Sequence, residues 1–268
     1  MKKKIAVVLS LAMLATTFIA CGKKSDKTDL AKIKDKGEMV VGLDDTFVPM
    51  GFKDDNGDIN GFDVDLANAV GEKLGVKVKF QPIDWTMKES ELNGGKIDVI
   101  WNGYSITDER KEKVAFSKPY LENKQVIITL ANSPIKTKAD LNGKNVAAQN
   151  GSSAVDAVEK EADLVKTFKG GKLVTFETNN DALMDLEAGR VDAVVGDEIL
   201  IRYYTNQRGE SKYKVLDDNF GTEEYGIGFR KDDKEFLSAV QKALDELKAD
   251  GTSKKISEKW FGKDIVKS

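Results

Sequence analysis

From residue 39 onward, short apolar runs alternate with stretches whose apolar residues recur every three or four positions. Residues 39–43 are apolar and β-branched, the pattern of a buried strand. Leu66, Ala67, Val70 and Leu74 follow at helical spacing. Asp63 stands where a cap would open that helix, and Gly75 where it would end. Val76, Val78 and Phe80 alternate as a strand, and 97–101 and 126–130 read as two more. The order starts again near residue 140. Strands are expected at 145–148, 173–176 and 191–195. Between them come a helix over 154–162 and a second one opened by Asn180 or Asp181 and stopped by Gly189. After a strand at 226–229, residues 233–249 form an amphipathic helix with Phe236, Leu237, Val240, Leu244 and Leu247 on one face. A last short helix spans 253–261. Alternating β and α units predict an α/β fold of mostly parallel sheets flanked by helices, and two such sets predict two lobes. In such sheets ligands bind beyond the carboxyl ends of the strands, so the residues just after 43, 101, 148 and 195 are the place to look.

The first 20 residues break this pattern. Met1-Lys2-Lys3-Lys4 is a basic head, residues 5–20 are an almost unbroken apolar run, and Phe18-Ile19-Ala20-Cys21-Gly22 closes it with small residues. This predicts a signal peptide over 1–20 and an exported protein. The run is about 16 residues, short of the ~20 that span a bilayer. Cys21 is the chain's only cysteine, so no internal disulfide can form. The junction resembles a bacterial lipobox. That resemblance implies lipidation of Cys21, a polar tether over 21–29 and a place on the outer face of the cytoplasmic membrane.

Composition narrows the chemistry. The net charge is −3, and losing Lys2, Lys3 and Lys4 with the leader takes it to −6. A mildly acidic surface of mixed sign offers nothing to nucleic acid and predicts a water-soluble mature part, expected to be a monomer. Histidine is absent, which removes imidazole bases, His-based triads and imidazole metal ligands. No cofactor and no metal are expected. Asp54-Asp55-Asn56-Gly57-Asp58 looks superficially like a calcium loop. It lacks the glycine at the sixth position and the glutamate at the twelfth, and Asn56-Gly57 reads as a hairpin turn. Gly94-Gly95-Lys96 lacks the spacing of a phosphate loop.

The loops after the strands carry what a free amino acid needs. They are Asp44-Asp45-Thr46-Phe47, Asn102-Gly103-Tyr104-Ser105 leading to Arg110, Gln149-Asn150-Gly151-Ser152-Ser153, and Gly196-Asp197-Glu198. Arg110 can grip a carboxylate with two parallel hydrogen bonds. Ser152 and Ser153 open a helix, where free N–H groups attract anions. Asp197 can pair with an α-ammonium and Ser105 can accept from it, while Phe47 and Trp85 offer flat apolar walls.

The run from Gly61-Phe62-Asp63-Val64-Asp65 to Leu74 resembles the signature of the polar amino-acid-binding proteins of ABC importers, solute-binding family 3. Ser105 to Arg110, Phe116 to Tyr120, Gly189 to Ala193 and the tail from Ala249 to Gly262 match in order and spacing. The resemblance covers about residues 30–262. It implies the periplasmic-binding-protein-like type II fold, two lobes joined by a two-strand hinge near 120–125 and 221–226. Lobe 1 is then 28–121 with 226–268, and lobe 2 is 124–222. It implies that Arg110, helped by Ser153, binds the ligand carboxylate. Ser105, Asp197 and a carbonyl near Gly103 take the ammonium, and Phe47 stacks on the side chain with Trp85 opposite. Asp44, Asn102, Tyr104 and Gln149 set selectivity. Asn102-Gly103 stands where some members carry a serine pair. The ligand implied is a polar or cationic amino acid such as glutamine, lysine or arginine, with cystine a further candidate. The macromolecular partners are a permease and its ATPase. Two other readings stay open: a dehydratase-like enzyme on the same fold, which needs a proton-transfer group such as Glu198 or a lysine, and an amino-acid sensor domain.

Overall fold

The apolar run after residue 37 becomes the strand Glu38–Leu43, buried along most of its length. It pairs in parallel with Lys77–Pro82 on one side and Val99–Ile100 on the other. Gly228–Phe229 then adds antiparallel to Val99–Ile100, and Ala115–Phe116 closes the five-stranded sheet. The structure, a computed structural model, describes residues 29–267. The expected signal segment, Cys21 and the tether up to residue 28 lie outside the described residues.

A second five-stranded sheet runs Val174–Phe176, Val146–Gln149, Ala193–Asp197, Leu121–Leu130, Tyr213–Tyr225. Its first three strands are parallel and its last two antiparallel. Each sheet therefore has two parallel and two antiparallel pairings, a more mixed arrangement than the expected mostly parallel one. In the first sheet the antiparallel pairings both come from Gly228–Phe229. In the second they come from Leu121–Leu130, which runs against both Ala193–Asp197 and Tyr213–Tyr225. The bridge between Ser105 and Tyr225 ties this ribbon to the first sheet. Together the two helix-flanked sheets are a two-lobed type II fold.

Helices cover the sheets as the apolar spacing requires. Phe62–Leu74 buries Phe62, Val64, Leu66, Ala67 and Val70, and Gly75 ends it in the left-handed conformation with φ 72°. Lys234–Ala249 buries Phe236, Val240, Ala243, Leu244 and Leu247. Asp29–Lys36 and Glu198–Arg208 also form helices. Neither follows from spacing: the second reads Ile-Leu-Ile and then Tyr-Tyr, a β-like run that becomes helical because Leu200, Ile201 and Thr205 find one buried face. Asp54 to Asp58 is the turn of a hairpin between Gly51–Lys53 and Ile59–Asn60, with Gly57 at φ 89°. Among the described residues no group of acids is arranged to hold a metal, and no helix is long and apolar enough to cross a membrane.

Asp63 corrects the reading of its helix. The N-cap position is Gly61, and Asp63 lies in the first turn, fully buried. Its Oδ2 accepts the Gly103 N–H at 2.7 Å and the Tyr120 hydroxyl at 3.0 Å. Burial pushes this carboxyl up to about 7, while those two donors hold it down. The acid thus fixes the loop after Val99–Ile100 and does not cap the helix.

Candidate functional site

The loops after the strands of both sheets meet. Arg110 lies in the first turn of Asp108–Lys113, and Thr107 caps that helix by accepting the Arg110 N–H. The guanidinium is 4% exposed. It donates to the Ser105 carbonyl at 3.0 Å and, across to the other lobe, to the Gly151 carbonyl at 3.2 Å. Tyr104 forms its floor, with its ring 4.7 Å below the guanidinium carbon. Tyr104 is itself stacked on Phe116, edge-on to Trp85, and its hydroxyl donates to Glu89. It packs behind Arg110 and is fully buried.

Ser105 Oγ and Ser153 Oγ lie 2.9 Å apart, one from each lobe. Beyond them Gln125 links Ser153 Oγ, at 3.2 Å, to Asp197 Oδ1, at 3.0 Å. Asp197 occupies the N-cap position of Glu198–Arg208, but its side chain makes no cap bond. It turns into the site, where Oδ1 also accepts from Asn123 at 2.6 Å and Tyr225 at 2.6 Å. Burial, and then the neighbouring Glu223 charge, hold the Asp197 carboxyl well above the usual carboxylate range. Arg110 and Asp197 therefore stand at opposite ends of one hydrogen-bonded group. Ser152 is placed differently: it caps Ser153–Glu159 and donates to the Gln149 carbonyl at 2.7 Å.

At the other end of the cleft Gln149 Nε2 reaches Asp44 Oδ2 at 2.7 Å, again from one lobe to the other. Thr46 donates to the second oxygen of Asp44 through its N–H and its hydroxyl. Burial pushes the Asp44 carboxyl up against those three donors. Asn102 pins backbone: its Oδ1 accepts the Asp44 N–H at 3.1 Å and its Nδ2 faces the Gly51 carbonyl. Asp44, Trp85 and Gln149, with Thr46, Asp84 and Glu177, line a cavity of about 270 Å³. Phe47 is buried, and its ring presses on Gly103 so closely that a Cβ there would lie 2.8 Å from it. Gly103 has φ 55°, so both conformation and space require glycine.

Four residues of this cluster carry no signal in the sequence: Asn123, Gln125, Glu223 and Tyr225. All lie on the two long ribbon strands, away from the strand ends that the general rule selects. A fifth is Lys88. Its Nζ is buried, donates to the Trp85 carbonyl and crosses to the Gly151 carbonyl, each at 3.0 Å. Burial first, then the Arg110 charge, lowers it to about 8 against the pull of Glu89. A larger hollow of about 830 Å³ lies between Glu198–Arg208 and the C-terminal segment. None of the expected ligand-binding residues lines it, and its charges pair internally, as Arg202 does with Glu198 and Lys267 with Glu122. The convergence of charges places the candidate site in the cleft instead.

Residues 39–263 match the family described as bacterial extracellular solute-binding proteins, family 3. The L-cystine-binding protein TcyJ of Escherichia coli (strain K12) is 33% identical over 264 residues, covering 98% of this chain and 94% of its own. An ABC uptake transporter substrate-binding protein from Streptococcus pneumoniae, solved with bound histidine, superposes with a TM-score of 0.88 at 41% identity, covering 90% of this chain and 99% of that one. An ancestral amino-acid-binding protein described as a precursor of cyclohexadienyl dehydratase gives 0.80 at 38%, covering 87% and 100%. On the match over residues 39–263 and a relative aligned along almost its whole length, this chain belongs to the bacterial extracellular solute-binding proteins of family 3.

Proposed function

We propose that this protein captures a polar or cationic amino acid between its lobes and delivers it to an ABC importer. The observation that carries the reading is the Arg110 to Asp197 group, bridged by Ser105 and Ser153 from opposite lobes. A zwitterion loses strong hydration when enclosed, so both of its charges must be paired. Arg110 supplies the cation for the carboxylate, with Ser153 beside it. Asp197 and Ser105 take the ammonium, with the Gly103 loop held in place by Asp63. Phe47 and Trp85 wall the side chain. Asp44 and Gln149, at the cavity end of the cleft, meet its tip, and an acid there favours a cationic or amide terminus. Asn102 and Tyr104 act one step back, by fixing the Asp44 backbone and the Arg110 guanidinium.

In this reading the lobes are 28–121 with 226–268 and 124–222, and the hinge is the pair of crossings near 120–125 and 221–226, at the end of the ribbon where Leu121 pairs with Tyr225. Work is done by binding and closure, since a ligand that prefers the closed state shifts the population toward it. Cys21 carries the lipid that holds the protein to the membrane beside its permease.

The similarity to a dehydratase precursor supports a second reading, an enzyme on this fold. Against it stands the position of Glu198, one of the two expected kinds of proton carrier: its carboxylate accepts from Arg202 at 2.8 Å and lines the outer hollow, away from the cleft. The test is a thermal-shift screen of residues 22–268 against L-arginine, L-lysine, L-glutamine, L-histidine and L-cystine, followed by product analysis. A raised melting temperature with the amino acid recovered unchanged supports capture. A dehydrated product, or no shift with any of them, sinks it.

A further inference from the structure

We propose that Glu223 is a second ammonium-binding carboxylate, and that with Asp197 it holds one proton which the ligand's ammonium displaces. This deepens the amino-acid-binding reading above and rests on it. Glu223 comes from the return strand Tyr213–Tyr225, outside every loop that the strand-end rule selects. Its Oε1 accepts from Ser105 Oγ at 2.7 Å and Ser153 Oγ at 3.3 Å, the two serines that join the lobes. It also accepts from Asn123 Nδ2 and Gln125 Nε2, each at 2.8 Å. Those same two nitrogens donate to Asp197 Oδ1 at 2.6 and 3.0 Å. Two carboxylates that share two donors are neighbours at close range.

The surroundings do not neutralise them. Tyr225 faces Asp197 as a neutral donor, and Tyr120 lies behind Tyr225. Asn123, Gln125, Ser105 and Ser153 carry no charge. Among the described residues neither acid has a salt bridge, and Arg110 and Lys88 are engaged with the Gly151 carbonyl. Asp197 is buried beside the Glu223 carboxylate with no cation next to it, so Asp197 keeps its proton until a cation arrives. The elevated Asp197 carboxyl agrees with this. The buried amide oxygens of Asn123 and Gln125 have no donor among the described residues. A primary ammonium brings three N–H groups and one positive charge, enough for both acids and an amide oxygen. When it enters, the shared O–H breaks, its proton goes to solvent, and the charge of the cluster is unchanged.

The test is calorimetry at pH 6 in buffers of different ionisation enthalpy, with whichever of the five amino acids named above raises the melting temperature. The wild-type protein releases about one proton per ligand, so its affinity falls about tenfold for each pH unit by which the pH is lowered below neutrality. Glu223→Gln keeps the shape and removes the like charge beside Asp197, so proton release drops below the wild-type count and the pH slope flattens. Glu223→Asp restores part of both. A merely structural Glu223 changes affinity in the variants and leaves the proton count untouched. Wild-type binding with no proton exchanged, or the same release in Glu223→Gln, overturns the inference while the capture reading stands. If none of the five amino acids binds, the capture reading itself falls and takes this one with it.

Discussion

Ser105 Oγ and Ser153 Oγ, 48 positions apart in the chain, meet at 2.9 Å across the two lobes. The contact places the end of one lobe's loop against the first residue of the other lobe's helix. Arg110 stands on one side of it and Asp197 on the other, and the expectations below follow from that arrangement.

Arg110→Ala removes the cation expected to hold a buried carboxylate. Deleting one partner of such a pair costs about 3–5 kcal/mol, or roughly two to three and a half decades of affinity. Calorimetry with the selected amino acid reads this directly. A loss below tenfold, with the fold intact by circular dichroism, contradicts the assignment.

Lys88 crosses the cleft to the Gly151 carbonyl. Lys88→Met removes that crossing hydrogen bond, and a charged donor of this kind contributes about 1.5–3 kcal/mol. The closed state then loses ground to the open one, with affinity down about tenfold or more. Small-angle scattering with saturating ligand should show an increased radius of gyration in the variant relative to wild type.

Gly103→Ala puts a methyl 2.8 Å from the Phe47 ring at a φ of 55°. The strain is about 1–3 kcal/mol. Thermal or urea unfolding should show a loss of that order, together with weaker ligand binding because the loop carries Ser105. A variant as stable as wild type would mean that the loop relaxes freely.

Asp63 gives a pH dependence with a definite sign. Its folded value, about 7, lies above its ordinary value of 3.8, so the folded state holds the extra proton between them. Its contribution to stability is full below pH 4 and is lost as pH rises, by about 1.4 kcal/mol per pH unit, until about pH 7. Asp63→Asn cannot titrate. The difference in unfolding free energy between wild type and variant should therefore fall across pH 4–7 and level off above it. A difference independent of pH would show that the carboxyl ionises freely in its buried place.

Much of the architecture was legible in spacing alone. The helices over Phe62–Leu74 and Lys234–Ala249 declare themselves because one face must be apolar to reach a core, and Gly75 ends the first because only glycine takes the left-handed turn there without strain. The strand-end rule also selected Arg110, Ser105, Gln149 and Asp197, which the fold does bring together. Local pattern misled where tertiary contacts set the outcome. Asp63 looks like a helix cap, yet it holds the Gly103 N–H from 40 residues away. The helix Glu198–Arg208 was not read from spacing at all, because its buried face, Leu200, Ile201 and Thr205, is set by tertiary contacts.

By itself, then, the chain determined the α/β alternation, the positions of several turns and which polar and charged loop residues follow the strand ends. Each of these depends on neighbours within a few positions. Only the tertiary structure decided which polar groups share a space: Gln149 with Asp44, Lys88 with the Gly151 carbonyl, Glu223 with Asp197. Those partners are separated by 26 to 105 residues in sequence, and no periodicity records a contact made by folding two sheets toward one another.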